Sequence, residues 1–244
     1  MKIDNLKIIN ENNLTETLSD KITLDKTSSQ GIITGYPSID KPWDKYYREK
    51  PVRDIDPNQT MYNAIINLNR GNMHLDAIGY LGESISYDEL LSKADVLAAN
   101  LKEMGIKKDD VVMLSLPSVP EASMLLLALN KIGAVSKWID LRVKKNDLRH
   151  YINEHECKYV FLFDILKEEM KKIIDETDVK KAVIINPVES LGLIPKTLYN
   201  AKEEITGKNR LFKEDKRFIK YSDILKMHSS MEVKPIAYDR ERPT

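Results

Sequence analysis

The side chains that most often carry chemistry are sparse here and badly spaced for it. The four histidines are His74, His150, His155 and His228. His150 and His155 are five residues apart, which does not align them on one helix face, and no His-Glu-x-x-His occurs. That spacing gives no metal centre, and surface or half-buried histidines are the expectation. The single cysteine, Cys157, excludes an internal disulfide and any Cys-based metal cluster. Standing just before an apolar run, it reads as a buried, inert thiol rather than a nucleophile. Ser86, Ser115 and Ser118 lack the Gly-x-Ser-x-Gly setting of a hydrolase elbow, and capping or turn positions account for them.

A phosphate cradle is also missing. There is no Gly-x-Gly-x-x-Gly and no Gly-x-x-x-x-Gly-Lys-Ser/Thr, and Gly207-Lys208 lacks both the upstream glycine and the following hydroxyl. The connection Leu116-Pro117-Ser118-Val119-Pro120 has no glycine, so close approach of its backbone to pyrophosphate is not expected. The basic stretch 207–217 (Lys208, Arg210, Lys213, Lys216 and Arg217) reads as a solvated loop. Trp138 and the cluster Trp43, Tyr46 and Tyr47 read as core or docking aromatics rather than a ligand box.

The elements that would position any site are clearer. The chain has 244 residues, 42% of them hydrophobic, with 38 Lys plus Arg against 38 Asp plus Glu. That is enough to bury a core, and the balanced charge argues against a dedicated nucleic-acid binder. No apolar run approaches the roughly 20 residues of a membrane helix, and the N-terminus has no signal-peptide core. A soluble cytoplasmic protein is the expectation.

Residues 1–34 are polar and aperiodic and read as a weakly ordered arm. Prolines 37, 42, 51 and 57 bracket a short helix whose aromatics are expected to lie on a larger body. A helix is expected over Thr60 to Leu68 with Met61, Ile65 and Leu68 on one face. Ala77–Leu81 and Ser84–Ser86, parted by Gly82-Glu83, read as a hairpin. Ser86 and Glu89 form a capping box for a helix that ends at Gly105. Ser118 with Glu121, Asn146 and Asp164 are expected to cap three further helices, with Tyr151 facing inward on the second.

Apolar strands begin at residues 111, 135, 159 and 182, at intervals of 24, 24 and 23 residues. Each interval holds a strand, a helix and two short connections, as a βαβ unit requires. Apolar runs without alternation suit strands covered on both faces. The fold class is therefore α/β: a doubly wound, mainly parallel sheet with flanking helices. Beyond Pro187 the pattern weakens to a loop, a helix over 196–205, a short strand at Phe218–Tyr221 and a helix over Asp223–Met227. The division expected is 1–34, 35–190 and 191–244.

Several segments, in order, resemble the N-terminal portion of the AMP-forming acyl-CoA synthetase family of adenylating ligases. They are Gly35-Tyr36-Pro37-Ser38-Ile39-Asp40-Lys41-Pro42-Trp43, Thr60-Met61-Tyr62, Ile85-Ser86-Tyr87-Asp88-Glu89-Leu90, Gly105-Ile106 with Asp109-Asp110-Val111-Val112, Leu116-Pro117-Ser118-x-Pro120-Glu121, and Ala128-Leu129-Asn130-Lys131-Ile132-Gly133-Ala134-Val135. Asp109 stands where the family usually has glycine. The resemblance implies activation of a carboxylic acid by ATP, with Mg2+, to an acyl-adenylate, followed by transfer to CoA. It implies that the loop Asp140-Leu141-Arg142 can approach the CoA arm, although the glycines of some members are absent from it; Arg142 could serve a phosphate there, but a surface charge is the expectation for it. The family's Lys-ending phosphate loop, adenylate-binding Thr-Glu, ribose-binding Asp and C-terminal Lys are not found in this sequence. The loop would be expected just after Arg242-Pro243-Thr244, so the chain alone is expected to be inactive and to bind neither ATP nor Mg2+. The rival expectation is a stand-alone, non-catalytic α/β module that binds a ligand or partner.

Overall fold

The computed structural model describes residues 34–43, 56–186, 210–227 and 229–241. The chain divides into two compact units, residues 1–54 and 55–244. The arm over residues 1–33, Tyr46, Tyr47, His228 and the helix expected at 196–205 lie outside the described residues.

In the first unit a four-residue helix, α1 (Pro37–Asp40), starts on proline, whose fixed φ suits a first helical position. The Asp40 carboxylate accepts from Thr34 N (2.8 Å), Thr34 Oγ1 (2.7 Å) and Gly35 N (2.8 Å). Those donors, led by the Thr34 amide, hold Asp40 below the usual carboxylate range. Trp43 follows the helix and is exposed.

The second unit opens with α2 (Met61–Leu68), capped by Thr60, whose Oγ1 accepts from Asn63 N at 3.2 Å. Its buried residue is Tyr62, while Met61 is exposed, so the inward face is turned one position from the expected one. Polar contacts set that rotation: Tyr62 N donates to Asn130 Oδ1 at 2.9 Å, and the phenol reaches Asp95 and Lys131.

The hairpin joins β1 (Asp76–Tyr80) to β2 (Glu83–Ser86). Its turn is Leu81-Gly82 rather than Gly82-Glu83. Both turn residues have positive φ, 50° and 89°, the left-handed pair that a two-residue hairpin needs. Ser86 then caps α3 (Tyr87–Glu103), accepting from Glu89 N at 3.2 Å, and Glu89 pairs with Lys93 one turn on.

A five-stranded sheet follows: β3 (Val111–Ser115), β4 (Val135–Trp138), β5 (Tyr159–Phe163), β6 (Lys181–Ile185) and β7 (Phe218–Lys220). The order is β4-β3-β5-β6-β7 and every pairing is parallel. Between the strands run α4 (Pro120–Ile132), α5 (Lys145–Glu154), α6 (Lys167–Ile173) and α7 (Arg210–Glu214), and α8 (Tyr221–Leu225) closes the series.

Alternation along each strand divides the core between the two sheet faces. Val112, Leu114, Tyr159, Phe161, Val183 and Ile185 pack with α3, α4 and α8 residues on one side. Met113, Val160, Leu162, Ala182 and Ile184 pack with Leu148, Ile152, Leu166 and Met170 on the other. Near-continuous apolar strands thus reflect a sheet buried on both faces.

Three expected caps move. Pro120 takes the first position of α4 and forces extended backbone on Val119, so Val119 occupies the N-cap site in place of Ser118. Lys144, not Asn146, precedes α5. Asp164 opens a 3-10 turn, and α6 itself starts at Lys167. Tyr221 begins α8 and is buried, rather than ending β7. Among the described residues no helix is long and apolar enough to cross a membrane.

Candidate functional site

In a parallel α/β sheet, ligands collect at the carboxyl ends of the strands, where loops part around a reversal of strand order. Here the order reverses at β3, which is flanked by β4 and β5. The connections leaving β3 and β4 frame two grooves that share Trp138.

One groove, of about 440 Å³, lies between β1 (Ile78, Tyr80), the Leu116–Pro120 connection and Leu126 of α4. The other, of about 570 Å³, is lined by Lys137, Trp138, Asp140, Arg142, Asp147 and Tyr151, among others. Tyr151 was expected to face inward. It is 37% exposed instead and supplies a ring to this groove, as does Trp138 at 42%.

The turn after β4 is fixed at its main chain. Ile139 N donates to Leu114 O at 3.0 Å, Ser115 Oγ donates to Asp140 O at 3.3 Å, and Val143 N donates to Asp140 O at 3.2 Å. The Asp140 carboxylate folds over this turn. It accepts from Arg142 N at 2.7 Å, an Asx turn, and from Arg142 Nε at 2.9 Å and Nη2 at 2.7 Å, a two-pronged ion pair. The Arg142 side-chain hydrogen bond holds Asp140 far below the usual carboxylate range, and the same bond raises Arg142. Of the three expected residues, Asp140 and Arg142 line the groove, while Leu141 packs against the core beneath it.

The Leu116–Pro120 connection does not suit a triphosphate. Two of its five residues are prolines without an N–H, and the first turn of α4 carries the buried carboxyl group Glu121. Among the described residues no group of three or more His, Cys, Asp and Glu is placed to hold a metal ion. Cys157 is buried, and desolvation pushes its thiol up to about 11, the opposite of a nucleophile's environment. In the basic stretch, Arg217 is tied to Asp215 and Asp175, with Nη2 at 2.7 and 2.6 Å from them.

Sequence reasoning missed one polar cluster. Lys131, with its side chain 8% exposed, lies 2.7 Å from Asp95 Oδ1 and 3.2 Å from Tyr62 Oη, and its ammonium sits 4.8 Å from the Tyr62 ring centroid. These residues come from three helices, and no local spacing signals that they meet.

A family model described as AMP-binding enzyme matches residues 68–225. Acetyl-coenzyme A synthetase 1 of Candida albicans is 34% identical over 126 residues, a match covering 47% of this chain and 19% of that protein. Its counterpart in Saccharomyces cerevisiae is 37% identical over 101 residues, covering 39% and 14%. The chain therefore matches less than a fifth of these relatives' length. Among solved structures, the anthranilate CoA ligase AuaEII, in complex with anthranoyl-AMP, superposes with a TM-score of 0.60 at 11% identity, over 77% of this chain and 32% of that one. Coronafacic acid ligase from Pectobacterium brasiliense gives 0.57 at 16% identity, over 72% and 31%. At such identities the superpositions show a shared fold.

Proposed function

This chain belongs to the AMP-binding enzyme family, and from that premise we propose that it forms the N-terminal portion of an AMP-forming carboxylic acid–CoA ligase. The observation that carries the reading is the family match over residues 68–225, joined to curated relatives that are acetyl-CoA synthetases. The reaction has two steps. A carboxylate oxygen attacks the α-phosphorus of ATP and pyrophosphate leaves, and the CoA thiol then takes the acyl group and releases AMP. Positioning and charge neutralisation supply most of such catalysis.

The described residues contribute scaffold and one binding edge in this reading. Asp140 and Arg142, at the mouth of the groove after β4, meet the phosphate-bearing arm of CoA, and Leu141 anchors their turn. The rings of Trp138 and Tyr151 offer stacking surfaces beside them. In this reading the ATP phosphates are held by a Lys-ending phosphate loop rather than by the connection after β3, whose two prolines lack an N–H.

A non-catalytic binding module is the second reading, favoured by the poor fit of that connection to a triphosphate. A longer chain that carries this sequence together with a Ser/Thr-Gly-Thr-Thr-Gly-x-x-Lys loop separates the two. Supplied with acetate, ATP and CoA, it is expected to form acetyl-CoA and AMP. Absence of any acyl-CoA across a panel of short and aromatic acids would favour the module.

A further inference from the structure

The contacts around Arg142 have the form of an occupied anion site. One backbone N–H and two guanidinium N–H groups converge on a single carboxylate at 2.7, 2.9 and 2.7 Å. That donor set is what a phosphate oxygen pair would take from an arginine and a turn amide. The occupant is supplied by the chain itself, two residues upstream.

We infer that Asp140 is a built-in competitor at this site, so that a phosphate-bearing ligand enters the groove only by displacing the Asp140 carboxylate from Arg142. The inference rests on the reading that this groove takes the phosphate-bearing arm of the acceptor.

Three features support displacement over a permanent lock. First, the main chain of the turn is held by β3 and by its own closing hydrogen bond, so the carboxylate can swing out by side-chain rotation while Arg142 N stays in place. Second, the side chains of Arg142 and Asp140 are 90% and 56% exposed, and an ion pair so open to water is held weakly. Third, the charged lining is balanced, Lys137 and Arg142 against Asp140 and Asp147. Loss of the Asp140 charge therefore leaves the groove net positive and attractive to an anion.

Calorimetric titration of the 244-residue chain with adenosine 3′,5′-bisphosphate tests this, using wild type, Asp140→Asn, Arg142→Ala and the double variant. Asparagine keeps an oxygen for the Arg142 amide, so the turn is retained. Asp140→Asn is expected to bind about three- to tenfold tighter than wild type, the scale of an exposed ion pair with charge repulsion removed. The double variant is expected to lose that gain. Equal or weaker binding by Asp140→Asn, where wild type binds measurably, would overturn the role of Asp140. A gain that survives in the double variant would overturn the fork as its cause. No binding by any of the four, with circular dichroism showing all of them folded, would overturn instead the reading of the groove as a phosphate-arm site.

Discussion

At the scale of single residues, environment decides what each group can do. Cys157 is 1% exposed and carries a thiol raised from 9.0 to about 11 by desolvation. In the native chain it is expected to resist a thiol reagent such as DTNB at pH 8 and to react fully in guanidinium chloride; fast native labelling would contradict the burial. Because the folded state holds that proton more tightly, the group's contribution to stability is complete below pH 9 and is lost as pH rises through about 11. Lys131 is the reverse case, a buried cation satisfied by Asp95 and the Tyr62 phenol. Lys131→Met removes its charge and leaves the Asp95 and Tyr62 oxygens without that donor. A loss of about 1–3 kcal/mol in urea unfolding is expected, the scale of the charge-assisted hydrogen bonds lost at a buried ammonium. These residue environments were only partly legible in advance. The inertness of Cys157 followed from its place before an apolar strand, whereas the Tyr62–Asp95–Lys131 cluster joins positions 33 to 69 residues apart.

Elements were legible where one local signal stood alone and misread where two competed. Ser86 caps α3 as its spacing implied, since no neighbouring proline or glycine offers another start. At α4 the serine signal lost to Pro120, which sets both its own φ and that of Val119. Gly105 was read correctly as a helix stop, and the structure adds the reason for its tight tolerance. Its φ is +100°, and a Cβ there would lie 2.9 Å from Tyr159 Oη, which donates to Met104 O at 3.0 Å. Gly105→Ala is therefore expected to cost about 1–3 kcal/mol by thermal or urea unfolding, from left-handed strain plus the displaced phenol. A change under about 0.5 kcal/mol would mean that the turn relaxes freely. The groove was less legible. The loop after β4 was marked through resemblance, but inward packing was expected of Tyr151. α5 begins at Lys145 and points only Leu148 and Ile152 into the core, which leaves Tyr151 to the groove.

For the whole molecule, the regular strand intervals revealed the parallel sheet but not its order. Intervals of 24, 24 and 23 residues fit several arrangements; the reversal at β3 depends on which side each crossover takes, a tertiary choice. β7 joins the sheet beside β6 across residues of weak pattern, which local periodicity could not indicate. The resulting scaffold closes two cores, so truncating a side chain such as Leu97 (0% exposed) is expected to cost about 2–5 kcal/mol in urea unfolding. In the proposed ligase this scaffold is expected not to act alone, because two of the five residues in the connection at its strand reversal are prolines without an N–H. The direct test of that account is acetate-dependent exchange of radiolabelled pyrophosphate into ATP, measured on the 244-residue chain and on a longer chain that carries the same sequence together with the phosphate loop, the adenylate-binding Thr-Glu, the ribose-binding Asp and the C-terminal Lys. The account predicts no exchange for the first and exchange for the second; exchange catalysed by the 244 residues alone would contradict it.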